Sequence, residues 1–496
     1  MKKDSKKMRK ISVLGGGFGG ISAAIRLRAR GNEVSIYERL NELGGRAQVF
    51  RKDGYLHDAG PTVITAPNLF YELFDLLGEN LDDHLEFKSL DPWYRFYFSS
   101  DQTTFDYGPN MESMLKQIDD ISPEDVAGYM QMLEKSKEIF ALGYEKLASQ
   151  PFHKITTMLK YAPDIIRLKG YRSVYDFVAR YIKHPNLRQA FTIQPLLVGG
   201  NPFSTSAIYS LIHALEQKWG IYFCMGGTGK IVSELEKLMI RHDIKIYKNH
   251  DAERIDVNQN IVKGVHFKNG TYISTDALIC NADPLQVNNE LLKNKKISFH
   301  NLFLKKFAKQ SMGLFVIFFG TTKKYNNVAH HTIWMGPRYK ELLDDIFNNL
   351  HLANDFSIYL HRPTCTDESF APIGHDSFYA LVPVPNLKKN INWNDIKEDF
   401  AERIIEALDK SIMPNLKEHV INLFSMTPLD FKSDYRTPYG TGFSIAPLLS
   451  QSAWFRTHNQ DDYYKNLFYV GAGTHPGAGL PGVINSGKVV ERVLYP

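Results

Sequence analysis

Cysteine is scarce in this chain, and long apolar runs are absent. The three cysteines, Cys224, Cys280 and Cys365, are widely spaced and form no CxxC pair. A disulfide framework or a zinc–cysteine site is therefore not expected, and a reducing cytoplasm fits. The best apolar run, 312–319, has the length of a strand. A membrane-spanning helix needs about 20 apolar residues, so the chain is expected to be cytoplasmic and to meet a membrane only at its surface.

A concentrated stripe of positive charge is also lacking. The net charge is +5 and the pI is about 8.7, which is too mild a bias to predict nucleic-acid binding. A signal peptide is not expected after the one dense basic run, because glycines interrupt the apolar segment that follows it. That run is expected to be a solvated tail or, alternatively, to be weakly attracted to an anionic membrane surface; it contains Lys2, Lys3, Lys6, Lys7, Arg9 and Lys10.

What the chain does contain is a dinucleotide fingerprint near its start. Residues 11–38 read as strand, glycine turn, helix and strand, with Gly15, Gly17 and Gly20 in the turn and Glu38 ending the second strand. The first glycine permits the tight turn, the second lets the backbone approach a pyrophosphate, and the third lets the helix pack on the strand. Glu38 is placed to bind ribose hydroxyls, and its charge argues against the 2′-phosphate of NADP.

Two further motifs favour FAD over NAD. Gly44-Gly45-Arg46 follows soon after Glu38, and Asp58-Ala-Gly60-Pro61-Thr62 comes next. The first of these extends the dinucleotide motif in a large class of flavoproteins, whereas a plain dehydrogenase does not need it. The two motifs together predict an FAD site.

The end of the chain carries another glycine-rich turn. Residues 471–483 lie between an apolar strand and a final helix. Such a turn presents backbone N–H groups and the positive end of a helix to an electron-rich group, which in a flavoenzyme is the pyrimidine side of the ring. His475 within it is interpreted as a structural or turn-forming residue rather than as a base.

Two other patterns are rejected as functional sites. Met225–Lys230 resembles a phosphate loop, but Cys224 and Ile231 stand where that motif has its first glycine and its closing Ser or Thr. His330-His331 is not expected to bind a metal, since adjacent residues on a strand point to opposite faces. No metal is predicted.

Taken together, the motifs resemble the bacterial and fungal type of phytoene desaturase, within the carotenoid desaturase and amine-oxidase-like flavoprotein superfamily. The resemblance covers about residues 10–490 and is closer to the forty-carbon desaturases than to the thirty-carbon ones, chiefly through 195–223. The stretches that carry it are Asp58–Thr65, Leu197–Phe203, Tyr209–Leu215, Gly226–Gly229, Asn281–Asp283, Ser452–Arg456 and Gly471–Gly479.

The resemblance assigns cofactor-binding residues one by one. It implies that the ADP and pyrophosphate half of FAD meets Gly15, Gly17, Gly20, Glu38, Gly45 and Arg46, with the backbone of Ala252 at the adenine. It implies that Gly60, Pro61, Thr62, Val63, Gly482 and Val483 lie near the isoalloxazine. Many members of the superfamily have an Asp after the glycine at Gly471, whereas this chain has Ala472, so the contact there is expected to be through the backbone or absent.

The chain is too long for a single hydrophobic core, so several domains are expected. The predicted fold class is α/β, with a Rossmann-like FAD-binding domain assembled from discontinuous segments, a sheet-containing substrate domain and a helical insertion. The FAD-binding domain is expected at 1–75, 222–290 and 455–496. The helical insertion, a candidate for contact with a membrane, is expected at 110–221, and the substrate domain at 76–109 and 291–454.

The activity that the resemblance implies is stepwise desaturation of phytoene, through phytofluene, zeta-carotene and neurosporene, towards lycopene. Each step transfers a hydride to the flavin from a carbon beside a polyene, where the developing cation is delocalised, so no catalytic base is named. The terminal electron acceptor is dioxygen or a quinone. The alternatives are a thirty-carbon desaturase, another carotenoid desaturase or oxidase, an amine oxidase, and a non-catalytic flavin- or lipid-binding protein.

A polyene substrate needs a path from the bilayer to the protein. The segment 151–169 interleaves apolar and basic residues, as in helices that lie in the headgroup layer. The alternative is an ordinary surface helix whose apolar side packs on the core. Pro163 is expected to interrupt any continuous helix here.

Overall fold

The computed structural model describes residues 8–293 and 296–496 of the chain. Four of the basic residues at the start, Lys2, Lys3, Lys6 and Lys7, lie outside the described residues. Two large sheets dominate the fold, and a block of helices joins them. The strands, in chain order, are β1 Lys10–Leu14, β2 Glu33–Tyr37, β3 Val49–Lys52, β4 Tyr55–Asp58, β5 Phe87–Ser89, β6 Tyr94–Phe98, β7 Thr103–Tyr107, β8 Tyr222–Cys224, β9 Lys245–Tyr247, β10 Ala252–Asn258, β11 Ile261–Phe267, β12 Tyr272–Ser274, β13 Ala277–Cys280, β14 Gly313–Thr321, β15 His331–Met335, β16 Ile358–His361, β17 Asp376–Val384, β18 Val420–Met426 and β19 Leu467–Tyr469.

The three-stranded sheet β10-β11-β12 covers one face of the first sheet. Helices cover its other face, pack on the second sheet and form the block between residues 111 and 219. They are α1 Phe18–Ala29, α2 Asn68–Asp75, α3 Met111–Ile121, α4 Pro123–Phe140, α5 Ile155–Arg167, α6 Val174–Val178, α7 Pro185–Ala190, α8 Leu211–Trp219, α9 Gly227–Arg241, α10 Pro284–Gln286, α11 Phe299–Phe307, α12 Lys340–Asp344, α13 Trp393–Asp409, α14 Leu416–His419, α15 Pro428–Asp434 and α16 Leu480–Leu494.

The first sheet is parallel and five-stranded, in the order β19-β13-β1-β2-β9. Its strands come from three distant stretches of sequence, because β9 and β13 follow the helical block and β19 lies near the end of the chain. The first and last helices pack against each other, and Ser22 Oγ of α1 donates a hydrogen bond to the carbonyl of Ile484 in α16 at 2.8 Å. The predicted α/β fold is confirmed.

The second sheet is mixed and seven-stranded, in the order β18-β14-β17-β16-β15-β6-β7. All nine residues of β14 are buried, which explains why the apolar run at 312–319 predicted a strand. The pairing of β6 with β15 is parallel and joins the stretch before the helical block to the stretch after it. This sheet agrees with the expected substrate domain, although the domain boundaries stay a prediction.

The helical block contains one departure from expectation. Helix α5 runs through Pro163 without interruption, contrary to the prediction from the sequence. Proline removes one backbone hydrogen bond, which would otherwise reach the carbonyl four residues earlier, at Leu159. Both Pro163 and Leu159 are exposed, so the freed carbonyl lies on the solvated face of the helix and the helix tolerates the proline.

The scarcity of long apolar runs and of cysteine is also visible in the structure. Within residues 8–293 and 296–496, no helix combines the length and the apolar composition that crossing a membrane requires. All three cysteines are free, with Cys224 and Cys280 buried and Cys365 exposed.

Candidate functional site

One cavity of about 630 Å³ lies between the two sheets. The part that we call the nucleotide part is lined by residues at the carboxyl ends of the parallel strands, including Gly15, Glu38 and Asn281. The part that we call the apolar part is lined by residues of the seven-stranded sheet and the helical block, including Leu314 and Met158. In open α/β sheets, ligands bind outside the carboxyl ends of the strands, and the nucleotide part has this position.

The turn between β1 and α1 requires glycine. Gly15 has a φ of +94°, a conformation that side chains disfavour. A Cβ at Gly20 would lie 2.1 Å from the carbonyl oxygen of Gly15, and one at Gly17 would lie 2.7 Å from Nδ2 of Asn281. The first turn of α1 therefore approaches the cavity as bare backbone, which is what a pyrophosphate at a helix N-terminus needs.

Glu38 follows β2 and is buried at the cavity wall. Its Oε2 accepts the N–H of Gly16 at 2.7 Å, and its Oε1 accepts the N–H of Leu40 at 2.8 Å. These two bonds fix the carboxylate, and each oxygen keeps a lone pair for a further donor. Because the group is anionic, ribose hydroxyls suit it and a phosphate does not. Ala252, the predicted adenine contact, also lines the cavity.

Arg46 carries the clearest sign of an anionic ligand. Its Nε is buried and has no hydrogen-bond partner within the described residues, and the side chain lines the cavity. Burial lowers the pKa of Arg46, while the nearby carboxylate of Asp283 opposes that shift. Guanidinium groups bind phosphates through paired N–H donors. The bare glycine turn and the unpaired Nε of this guanidinium together fit the pyrophosphate of a dinucleotide.

Hydrogen bonds to the first residues of α9 fix the turn at 60–63. Asp58 is buried, which raises its pKa to about 6, and it accepts the N–H groups of Thr228 at 2.9 Å and Gly229 at 3.4 Å. Thr228 Oγ1 donates to the carbonyl of Pro61 at 2.8 Å. A carboxylate of the chain therefore occupies the α9 N-terminus, in agreement with the rejection of Met225–Lys230 as a phosphate loop.

Arg456 holds the glycine-rich turn near the C-terminus. The guanidinium is buried and donates to the carbonyls of Ala472 at 2.6 Å, Thr474 at 3.1 Å, Ile445 at 3.2 Å and Gln451 at 3.3 Å. A fork of five N–H donors suits such a cluster of carbonyl oxygens. The sequence identified 452–456 only through the resemblance, and no local pattern predicted this role.

His475 lies in the same turn and lines the cavity. Its Nε2 lies 3.2 Å from the carbonyl oxygen of Leu147, and its ring contacts Phe152 edge-on with a centroid distance of 4.8 Å. Burial lowers its pKa to about 4, so the ring is neutral at pH 7. These contacts fix the turn against the helical block and agree with the structural interpretation of this residue.

The apolar part is walled by aliphatic side chains from three regions of the chain. One set comes from α5, another from the segment 193–197 and a third from the seven-stranded sheet. The side chains are Met158, Ile165, Ile193, Leu196, Leu197, Leu314, Val316 and Leu381. Such a wall offers contact area and no charge, which suits a long hydrocarbon.

Few polar groups interrupt this wall. Among them, Thr62 was predicted from the sequence to be a site residue, whereas Tyr359, Tyr379 and Glu216 were not. Thr62 Oγ1 lies 2.8 Å from the hydroxyl of Tyr359 and 3.1 Å from that of Tyr379. Glu216 is buried, which raises its pKa to about 8, and it accepts a hydrogen bond from the hydroxyl of Tyr94 at 3.4 Å. At pH 7 its carboxyl is mostly protonated, so the wall carries little charge there.

The structure brings nearly all of the predicted cofactor residues together. Gly20 is the exception, since it packs against Gly15 and does not line the cavity, which is the packing role that the fingerprint gives to its third glycine. The others line one cavity: Gly15, Gly17, Glu38, Gly45, Arg46, Gly60, Pro61, Thr62, Val63, Ala252, Gly471, Ala472, Gly482 and Val483.

The reason for rejecting His330-His331 as metal ligands is wrong. His330 precedes β15, and its ring lies 4.6 Å from that of His331, centroid to centroid. The alternation of side chains applies only within a strand, and the backbone at His330 lies outside it. Together with His361, these residues form a buried group whose potential ligand atoms lie within 4.8 Å of one another.

Comparison with known proteins agrees with this geometry. A family model described as flavin-containing amine oxidoreductase matches residues 18–491. The phytoene desaturase (lycopene-forming) of Pantoea ananas is 42% identical over 98% of this chain and 99% of its own length. The phytoene desaturase (neurosporene-forming) of Cereibacter sphaeroides is 38% identical over 97% of this chain and 93% of its own length.

Solved structures share the fold at low sequence identity. An oxidoreductase from Methanosarcina mazei has a TM-score of 0.65 and 14% identity, covering 97% of this chain and 100% of its own. A variant of putrescine oxidase has a TM-score of 0.64 and 14% identity, covering 99% of each chain. The chain therefore belongs to the flavin-containing amine oxidoreductase family and, within it, to the phytoene desaturases, and it is an oxidoreductase whose cofactor is FAD.

Proposed function

We propose that this protein desaturates phytoene stepwise, through phytofluene, zeta-carotene and neurosporene, towards lycopene in carotenoid biosynthesis. The observation that carries the proposal is a single cavity in which a dinucleotide-binding turn adjoins a wall of aliphatic side chains. The lycopene-forming relatives from Pantoea ananas and Pseudescherichia vulneris, each 42% identical, support the choice of substrate and product.

The residues of the chain position the substrate rather than attack it. Bound FAD supplies the two-electron oxidation of neighbouring carbons. The aliphatic wall excludes water and holds the hydrocarbon, while the hydroxyls of Thr62, Tyr359 and Tyr379 form the polar cluster beside the turn at 60–63. A cation that develops beside a polyene is delocalised, so positioning in a dry cavity contributes more than a strong base does.

Within the cavity we propose specific contacts to FAD. The backbone at Gly15 and Gly17 and the side chain of Arg46 bind the pyrophosphate, and Glu38 binds the ribose. Ala252 meets the adenine, and the turns at 60–63 and 471–483 flank the isoalloxazine. The unpaired Nε of Arg46 and the glycine-only turn support the first of these contacts.

We further propose that two helices attach the protein to the surface of the membrane on its cytoplasmic side. Leu159 and Ile166 of α5 are 64% and 63% exposed, while Ile165 of the same helix lines the cavity. Helix α11, which the sequence did not single out, exposes 84% of Phe299 and 51% of Phe303. Both helices lie beside the segment 453–456. Their exposed apolar faces are therefore near each other, and together they would form one apolar surface close to the cavity.

The terminal electron acceptor is proposed to be a quinone or dioxygen. A membrane surface would supply a quinone together with the substrate. Reoxidation of the reduced holoenzyme by a soluble short-chain quinone, compared with reoxidation in air-saturated buffer, distinguishes the two acceptors.

The decisive assay gives purified holoenzyme phytoene in liposomes and separates the products by liquid chromatography with visible spectra. Stepwise appearance of phytofluene through lycopene is expected. Unchanged phytoene together with conversion of a thirty-carbon or already coloured carotenoid would overturn the substrate and leave the flavin chemistry intact. Release of hydrogen peroxide with amines would instead indicate an amine oxidase.

The membrane surface is tested separately by co-sedimentation with anionic vesicles. The double variant Phe299→Ser, Phe303→Ser is expected to bind vesicles at least ~10-fold more weakly, since each large apolar side chain contributes about 1.5–3 kcal/mol when it is buried. Ile373→Ser is the control, because Ile373 is fully exposed but lies in neither helix. Equal binding by all three proteins would remove α11 from the surface.

A further inference from the structure

Three buried histidines meet where β15 and β16 pair. His331 and His361 are directly opposite each other in that antiparallel pair, and His330 immediately precedes β15. The ring centroids are 4.6 Å apart for His330 and His331, 4.9 Å for His330 and His361, and 5.4 Å for His331 and His361. This cluster, which we call the histidine trio, lies in the core, and its members are not among the residues that line the cavity.

Each member of the trio keeps a ring nitrogen without a hydrogen-bond partner within the described residues. A neutral imidazole presents a lone pair, which is the form that binds a metal ion. A buried polar atom without a partner destabilises the folded state, and the trio concentrates several such atoms.

Two hydroxyl groups hold the trio from outside. Nδ1 of His331 lies 2.8 Å from the hydroxyl of Tyr359, and Nδ1 of His330 lies 2.7 Å from Oγ1 of Thr366. With the proton on Nδ1, the lone pair of each ring is on Nε2, the atom without a partner. Histidines that bind metals are oriented in this way, through a hydrogen bond at the other ring nitrogen.

The ligand atoms of the trio favour one class of metal ion over others. It offers three imidazoles and no carboxylate or thiolate, and the nearby carboxylate of Asp376 is paired with Arg362 at 2.9 Å. Mg²⁺ and Ca²⁺ prefer oxygen ligands, whereas imidazole suits Zn²⁺, Cu²⁺ and similar ions. Three histidines with a fourth position left for water or hydroxide are a known zinc arrangement, and hydroxide would lower the charge that the core has to hold.

We propose that His330, His331 and His361 bind a divalent transition-metal ion of the zinc class. Atoms within 4.8 Å of one another lie no more than about 2.8 Å from a common centre, and zinc–nitrogen bonds are about 2.0–2.1 Å. Each ring therefore moves inward by less than about 1 Å when the ion binds. The ion joins β15 to β16 and, through Tyr359, fixes the hydroxyl that contacts Thr62.

The test uses holoenzyme purified without a histidine tag and without chelators. Native protein dialysed against Zn²⁺ is expected to retain about one ion per chain by elemental analysis, and dialysis against Co²⁺ is expected to give the visible bands of a four-coordinate nitrogen site. Chelation is expected to lower Tm, and added Zn²⁺ is expected to restore it. His361→Gln is expected to lose the ion and the Tm response.

The matched control is His213→Gln, because His213 is equally buried but its Nε2 lies 3.0 Å from the carbonyl oxygen of Phe191, outside the trio. This variant is expected to bind the ion as the native protein does, and the FAD content of each variant reports whether it is folded. Native protein that retains no Zn²⁺ or Co²⁺ would overturn the proposal. So would equal retention by His361→Gln, even if that variant is destabilised.

Discussion

The two parts of the cavity are built in opposite ways. In the nucleotide part, residues that are close in sequence form the site. Gly15, Gly17 and Glu38 lie within one strand–helix–strand unit, and backbone groups form much of its surface and hold Glu38 in place. In the apolar part, the wall comes from α5, from the segment 193–197 and from β14, which are far apart in the sequence. Chemistry that depends on local backbone geometry leaves a sequence motif, whereas a hydrocarbon wall requires only apolar side chains that many sequences supply.

The largest expected effect comes from the nucleotide part. Gly20→Ala would place a Cβ 2.1 Å from the carbonyl oxygen of Gly15, a backbone atom that cannot turn aside as a flexible side chain can. We expect the purified variant to contain no FAD, as measured by its visible spectrum. Gly31→Ala is the control, because Gly31, unlike Gly20, has a positive φ but no atom lies within 4 Å of its added Cβ. It should keep its FAD at a cost of about 1 kcal/mol in stability.

Replacing Arg46 separates ligand binding from folding. Arg46→Met removes a buried guanidinium whose Nε has no partner. A hydrogen bond to a charged group contributes about 1.5–3 kcal/mol, so the Kd for FAD should rise about 10- to 150-fold in a fluorescence titration. The Tm of the FAD-free variant should stay the same or rise, and Arg46→Lys should recover part of the affinity. A fall in Tm without a change in Kd would contradict the pyrophosphate contact.

In the apolar part, a single change should affect the substrate and not the cofactor. Leu314→Trp fills cavity volume from β14, and such overpacking costs about 1–3 kcal/mol. We expect turnover of phytoene in liposomes to fall about 5-fold or more while the FAD content stays at the native level. Leu314→Met conserves volume and should keep most of the activity. Loss of FAD in the Trp variant would show that the two parts are not separable.

The smallest effect on FAD content and turnover is expected at Glu216, whose replacement should change the pH dependence of stability instead. Its pKa of about 8 in the folded protein exceeds the ordinary value of 4.5, so the folded state binds the extra proton between these values. The stability contributed by this group is therefore present below about pH 4.5 and is lost as the pH rises through 8, at about 1.4 kcal/mol per pKa unit. Glu216→Gln should remove this part of the pH dependence, which denaturant unfolding at several pH values measures. Parallel stability curves for the two proteins would contradict the shift.

Much of the fold was predictable because its signals are local. The glycine turn and the apolar strand at 312–319 each follow from the preferences of a few neighbouring residues. The prediction that Pro163 interrupts the helix was wrong. Tolerance of a proline depends on which face of the helix is solvated, and packing determines that face. Helix α11 carried no signal that separated an exposed apolar face from a buried one.

By itself, the sequence predicted a dinucleotide site at the end of the first strand, since glycines at fixed spacing and a following carboxylate leave the backbone few alternatives. Only the tertiary structure brings Arg456 to the carbonyls of the glycine-rich turn, Asp58 to the N-terminus of α9, and His361 to His330 and His331. These groups gain their partners from residues that are distant in sequence. Their pairing depends on how the two sheets and the helices pack together.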